Sequence, residues 1–332
     1  MTEDKEKVTQ TYRAEKVATQ TGLFGVIGKE QVETATDILK KYKEAKATLE
    51  NRIIDNEQWF KMRHWEQMRN TTGEEFSSAW LFNSIANKHA DAMDNFPRVN
   101  CLPREMSDKN SAEILTEILS VVFERNDFEK IYSDTWWYKL KAGTGVYGIF
   151  WNPKKQNGLG EIEIKQVNLL NVFWEPGIKN IQNSKNFFSV ELTDNDLLVS
   201  MYPELQGKLS GSTVEISKYI YDDTVDTSHK SAVIDWYYKK LINGREVLHF
   251  CKFCNGEILY ASENDAEYYE KGFYSHGQYP FVFDTLFVEE GTPCGFGYID
   301  IMKDAQKQID ILNNALIKNA VMGTNKRYFI NS

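Results

Sequence analysis

Near residue 143 the hydrophobic period of this chain changes, and no other feature restricts its fold as much. Before that point apolar residues recur at helical spacing. From about Glu33, the residues Ile38, Tyr42, Ala45, Leu49 and Ile53 follow at intervals of four, three, four and four, which predicts a long amphipathic helix running toward Trp59 and Trp65. After the Thr71-Thr72-Gly73 break, Phe82, Ile85, His89, Met93 and Phe96 repeat the pattern until Pro97 stops it. Ser107 and Asp108 offer caps for a third helix whose Ile114, Leu115, Ile118, Leu119, Val122 and Phe123 form one stripe. A fourth helix is expected from about Asp127 to Lys141.

Beyond Gly143 the period drops to two. Val146 to Trp151, Glu161 to Val167 and Phe187 to Leu192 have the β-branched and aromatic content of strands, with a short helix from Thr193, a candidate cap, to Leu205. Ala232 to Leu241, Glu246 to Phe253 and Glu257 to Tyr260 are joined by Asn243-Gly244 and Asn255-Gly256, dipeptides suited to positive φ, so they predict a three-stranded meander. Phe281 to Val288 predicts one further strand. From Tyr298 to about Met322 no Gly or Pro intervenes. Met302, Ala305, Ile309, Leu312, Leu316 and Ala320 mark one side of that last helix, while Lys303, Lys307, Asp310 and Asn314 line another. Helices first, short strands next and a long helix last describe an α+β chain, not a Rossmann or barrel fold. No internal repeat is evident.

Composition narrows the function classes. The 332 residues carry 39 Lys and Arg against 48 Asp and Glu, a net charge of −9, which argues against gripping nucleic acid with the whole surface. At 42% hydrophobic and 13% aromatic the chain can bury a sizeable core. Its length suggests two or three structural units. It has neither eighteen consecutive apolar residues nor a signal-like start, so no membrane span is expected. Residues 1–30 lack sustained periodicity and are expected to form an arm. Cys101, Cys251, Cys254 and Cys294 are too few for a disulfide framework in a chain of this size.

Three motifs suggest chemistry, each with a plainer explanation. Gly143-Thr144-Gly145-Val146-Tyr147-Gly148 matches a dinucleotide fingerprint, but a helix precedes it and a strand follows, the reverse of what phosphate binding needs. A helix-to-strand turn accounts for it. Cys251-Lys252-Phe253-Cys254 resembles half of a zinc knuckle, yet a second Cys-x-x-Cys is missing, so an ordinary hairpin strand is favoured over a metal site. His89 lies on an apolar helix face and is expected to pack there. Asp222-Asp223 fits a solvated turn, and no hydrolase or metalloprotease motif occurs. A zinc- or nucleotide-binding enzyme and a monomeric interaction module are the competing classes, and no cofactor is expected.

The order of elements resembles that of tailed-bacteriophage portal proteins. The resemblance rests on the Asn83 to Pro97 helix and on the helix pair from Asp108 through Gly143-Thr144-Gly145 into Val146 to Trp151. It rests also on Asn168-Leu169-Leu170-Asn171-Val172-Phe173-Trp174-Glu175-Pro176 and the Thr193 to Pro203 segment. Tyr279-Pro280-Phe281 then leads through Gly295-Phe296-Gly297 into Asp304 to Asn314, similar to the entry of a portal stem helix. The resemblance implies a wing-like α+β region at 31–290, a stem helix at 291–325 and the start of a clip at 326–332, where the chain stops. Portal chains normally continue into a clip, a returning stem helix, a channel loop and a crown. It further implies a homo-oligomeric ring, usually of twelve copies, at one capsid vertex of the virion, assembled in the host cytoplasm. Double-stranded DNA would pass through that ring during packaging and ejection. Major capsid protein, scaffold, terminase and a head-tail adaptor would be its partners, and no catalysis is expected. On this basis Lys303, Lys307, Asp310 and Asn314 are candidates to face the channel or the adjacent stem. Ile38, Tyr42, Leu49, Ile309, Leu312 and Leu316 are candidates for the subunit interface.

Overall fold

A computed structural model describes residues 27–67, 76–209 and 229–324. The arm expected at 1–30 lies almost wholly outside them, as do Asp222-Asp223 and the 326–332 segment. The first half is helical, as its periodicity dictates: α1 (Lys29–Phe60), α2 (His64–Gln67), α3 (Trp80–Asp94), α4 (Lys109–Arg125) and α5 (Phe128–Ala142). Then come β1 (Thr144–Asn152), β2 (Glu161–Val167), β3 (Val172–Trp174), β4 (Asn186–Asp194) and the short α6 (Asn195–Met201). They are followed by β5 (Lys230–Ile242), β6 (Arg245–Cys254), β7 (Glu257–Ala261) and α7 (Tyr268–Lys271). The chain continues through β8 (Phe281–Thr285), β9 (Phe287–Val288), β10 (Gly295–Phe296) and α8 (Tyr298–Thr324). No helix of the described residues is long and apolar enough to cross a membrane.

Local details depart from the sequence reading for identifiable reasons. Asp194, not Thr193, caps α6, its carboxylate accepting from Asp196 N at 3.0 Å. Asp108 occupies the cap position of α4, but its carboxylate takes the Ser107 hydroxyl and makes no capping bond. The single strand expected from Phe281 to Val288 is two, because Leu286 turns into a helical core and its N–H donates to Gly143 O at 2.9 Å. β8 therefore pairs with β1, whereas β9 pairs with β10.

Residues divide into two compact units, and the division does not follow sequence order. The first comprises the chain up to Thr48, then Val167–Pro280 and Glu290–Pro293. Its centre is an antiparallel sheet in the order β3-β4-β5-β6-β7, which extends the expected meander by two strands. Asn243-Gly244 and Asn255-Gly256 adopt positive φ at both positions, the geometry that closes a two-residue hairpin. One face of the sheet buries Phe188, Ile234, Trp236, Cys251 and Phe253 against Val32, Ala35 and Leu39 of α1. The other face carries Val233 and Cys254 against Leu198 and Leu205. Lys46 is buried beneath this sheet, its Nζ donating to Leu169 O at 2.6 Å and Val172 O at 2.7 Å.

The second unit comprises Leu49–Gln166, Phe281–Glu289 and the chain from Cys294 onward. It holds the three-stranded sheet β2-β1-β8 and the helices α3, α4, α5 and α8. Trp59, Leu81, Ile85, Leu140 and Ile299 form its buried centre, with Trp136, Trp137 and Met302 packed around them. Gly143 ends α5 at φ +84°, and a Cβ there would lie 2.3 Å from the Phe296 carbonyl carbon. The glycine-rich stretch is thus a helix-to-strand turn that also admits the β10 backbone. His89 packs as expected, stacked on Trp137 with centroids 4.0 Å apart and its Nε2 3.1 Å from Ser133 O.

Candidate functional site

The helix α8 is amphipathic, and its fold uses the two sides in the opposite sense to an ordinary surface helix. Gln306, Asp310 and Asn314 stand one helical turn apart, and all bond to residues 76–81, which lead into α3 and include its first two residues. Asn314 Oδ1 accepts from Phe76 N at 2.9 Å, and its Nδ2 donates to Phe76 O at 3.0 Å. Asp310 Oδ1 accepts from Ser78 N at 2.9 Å and from Ser78 Oγ at 2.6 Å. Gln306 Nε2 donates to Ser78 O at 2.9 Å, while its Oε1 accepts from Leu81 N at 2.9 Å. Successive positions on α8 thus meet Phe76, then Ser78, then Ser78 together with Leu81. At the last step Gln306 satisfies an N–H at the start of α3, whose own cap residue Ala79 supplies no side-chain bond.

A histidine completes this polar ladder. His64 Nε2 lies 3.1 Å from Asp310 Oδ2, and because a carboxylate only accepts, the proton is assigned to Nε2. Its ring stacks on Trp59 at 4.1 Å, and both His64 and Asp310 are fully enclosed. His64 Nδ1 has no partner among the described residues. Burial pushes the imidazole below its ordinary 6.5, more than the neighbouring Asp310 carboxylate raises it, so the ring is neutral at pH 7.

The four residues expected to share an outward polar stripe have different fates. Asp310 is enclosed in its own unit, which corrects the expectation that it faces a channel or neighbour: its carboxylate is consumed by Ser78, Gln306 and His64. Asn314 is held by Phe76, and Lys303 pairs with Asp55 Oδ2 at 3.1 Å, so both are also engaged within the subunit. Lys307 is half-exposed. Gln306 is the ladder member that the stripe omitted. Its spacing of four from Asp310 was available in the sequence, but its facing partners lie more than two hundred residues away.

Among the interface candidates, Ile38 and Tyr42 are half-buried, and both pack in part against the sheet of their own unit, Tyr42 edge-on to Phe188 at 5.9 Å. Leu49 and Ile309 are half-buried. Leu312 and Leu316 are 62% and 66% exposed, and Ile301 is 54% exposed on the same side. At 100° per residue this stripe lies opposite Asp310 and Gln306. The side that sequence patterning marks as core is largely open, and the polar side is inside.

The two cysteines of the knuckle-like motif cannot converge on one ion. Three residues apart on regular β6, they point to opposite faces of the sheet, Cys251 opposite Trp236 and Cys254 opposite Val233. Burial raises the thiols to about 12 and about 11. No group of three or more metal-ligating side chains occurs among the described residues. A family model described as phage P22-like portal protein matches residues 37–328. No curated protein matches the chain at a significant level.

Proposed function

Since the chain belongs to the phage P22-like portal protein family, we propose that it is the repeating subunit of a homo-oligomeric ring at the capsid vertex. That ring is the channel for genome packaging and ejection. The observation that carries this reading is the open apolar stripe of α8. A helix whose polar side is bonded into its own subunit and whose Leu312 and Leu316 stand in solvent requires a partner for the apolar side. In this reading α8 is the stem, the preceding α+β region to residue 290 is the wing, and twelve copies close the ring. Scaffold, major capsid protein, terminase and head-tail adaptor dock on it. A net charge of −9 per chain supports passage of DNA through the ring without adhesion to the subunit surface as a whole. Lys307 remains the channel or stem-contact candidate, while Leu312 and Leu316 remain the interface candidates.

Negative-stain images of the purified protein test the proposal. Annular particles with a central hole are expected, and single 38.5 kDa globules at every concentration would refute it. For the channel role, Lys307→Glu is expected to slow packaging or ejection with rings intact. Unchanged packaging and ejection would remove Lys307 from the channel.

A further inference from the structure

Three Asn-Gly dipeptides occur in the chain, beginning at Asn157, Asn243 and Asn255. All three asparagines and the glycines that follow them adopt positive φ, from +48° at Asn255 to +94° at Gly158. Space beside the glycines is also alike, since a Cβ at Gly158, Gly244 or Gly256 would meet nothing within 4 Å. Their surroundings differ. Asn243 and Gly244 alone form the β5–β6 loop, because Ile242 lies directly opposite Arg245. Asn243 is exposed, and Gly244 N–H makes no hydrogen bond among the described residues. Asn157 is exposed as well, but Gly158 N donates to Lys155 O at 3.2 Å. Asn255 sits in the β6–β7 loop, where Cys254 faces Glu257, and its Oδ1 and Nδ2 are both enclosed without a partner among the described residues.

Asparagine is a thermolabile residue, and before glycine its reaction partner is built in. The peptide nitrogen of the glycine, once deprotonated, attacks the asparagine Cγ, and no side chain on glycine obstructs the approach. The Cγ–Nδ2 bond then breaks, and ammonia leaves with the proton that the peptide nitrogen gave up. Water opens the resulting cyclic imide at either carbonyl by breaking one C–N bond, leaving aspartate or isoaspartate. Neither an oxidant nor a reductant is needed. Two demands fall on the fold: the glycine nitrogen must be free, and the asparagine side chain must be able to turn toward it. Asn157 fails the first demand and Asn255 the second. Asn243 meets both.

We infer that Asn243 is a site of spontaneous modification, converted to aspartate and isoaspartate in the folded subunit ahead of the other two Asn-Gly positions. Its two products have different consequences. Aspartate before glycine suits the same tight turn and adds one negative charge to a chain already at −9. Isoaspartate lengthens the main chain by a methylene, so Ile242 and Arg245 no longer close the ladder in their present register.

Peptide mapping by mass spectrometry tests this on the purified protein held at mildly alkaline pH, with isoaspartate read by isoaspartate-specific enzymatic methylation. Asn243 is expected to convert at least about tenfold faster than Asn255, because reaction at an enclosed side chain waits on local opening. It is expected to convert about fivefold faster than Asn157, whose glycine nitrogen must first give up a hydrogen bond. In denaturant, where no side chain is enclosed and no turn is bonded, the three positions are expected to convert at similar rates. Equal rates in the folded protein, or a faster rate at Asn157 or Asn255, would overturn the inference. So would a folded protein whose Asn243 stays intact after the denatured sample has converted. Asn243→Gln is expected to remove most of the acidic species that accumulates in the parent on isoelectric focusing. Undiminished accumulation in that variant would place the modification elsewhere and overturn the assignment to Asn243.

Discussion

Asp310 concentrates most of the buried polarity around α8. Four donor groups converge on its two oxygens, from Ser78, Gln306 and His64. Asp310→Ala would leave those donors buried without an acceptor and is expected to destabilise the subunit by about 3–5 kcal/mol in denaturant melts. Asp310→Asn, which keeps one carbonyl oxygen, is expected to cost less. His64 adds a pH dependence whose sign is fixed. Its folded value is depressed below the ordinary 6.5, so the folded state binds fewer protons than the unfolded one. Stability is therefore full above pH 6.5 and is expected to fall as pH drops below it. His249 is depressed by burial too and acts in the same direction. Melting temperature measured from pH 8 to pH 5 should decline on the acid side, and less steeply for His64→Gln. An identical decline in that variant would assign the effect elsewhere. Little of this was legible in the sequence. His64 and Ser78 lie far from Asp310 along the chain, and no local pattern announces such a meeting. The opposite-facing cysteines, by contrast, were legible, since an odd separation in a strand always splits two residues between faces.

At the level of elements, helices and hairpins were set by periodicity and turn chemistry, and Asn243-Gly244 and Asn255-Gly256 close the turns their residue types favour. The orientation of α8 was not. An apolar stripe at helical spacing marks a surface that needs covering, but it does not say whether the cover comes from the same chain. The turn after α5 gives a sharp test of local design. Gly143 combines φ +84° with the close approach of Phe296, so Gly143→Ala is expected to cost more than about 2 kcal/mol. Gly177 also has positive φ, at +81°, but nothing lies near its absent Cβ. Gly177→Ala is expected to cost only about 1 kcal/mol, and chemical denaturation of the two variants measures the difference. Equal losses would mean that the Phe296 contact does not discriminate between the sites.

For the whole molecule, the proposed ring would give the open stripe of α8 its cover on a further copy of the chain. Leu312→Glu separates folding from assembly. Because Leu312 is already 62% exposed, the subunit's own stability should change by no more than about 0.5 kcal/mol, while the multimer should weaken. Circular dichroism melts combined with sedimentation measure both quantities on one sample, and an unaltered multimer would remove Leu312 from the interface. The most direct measurement of the central claim is particle mass in solution by light scattering. The account expects one discrete species near twelve times the 38.5 kDa chain mass. A concentration-independent mass of a single chain would contradict it.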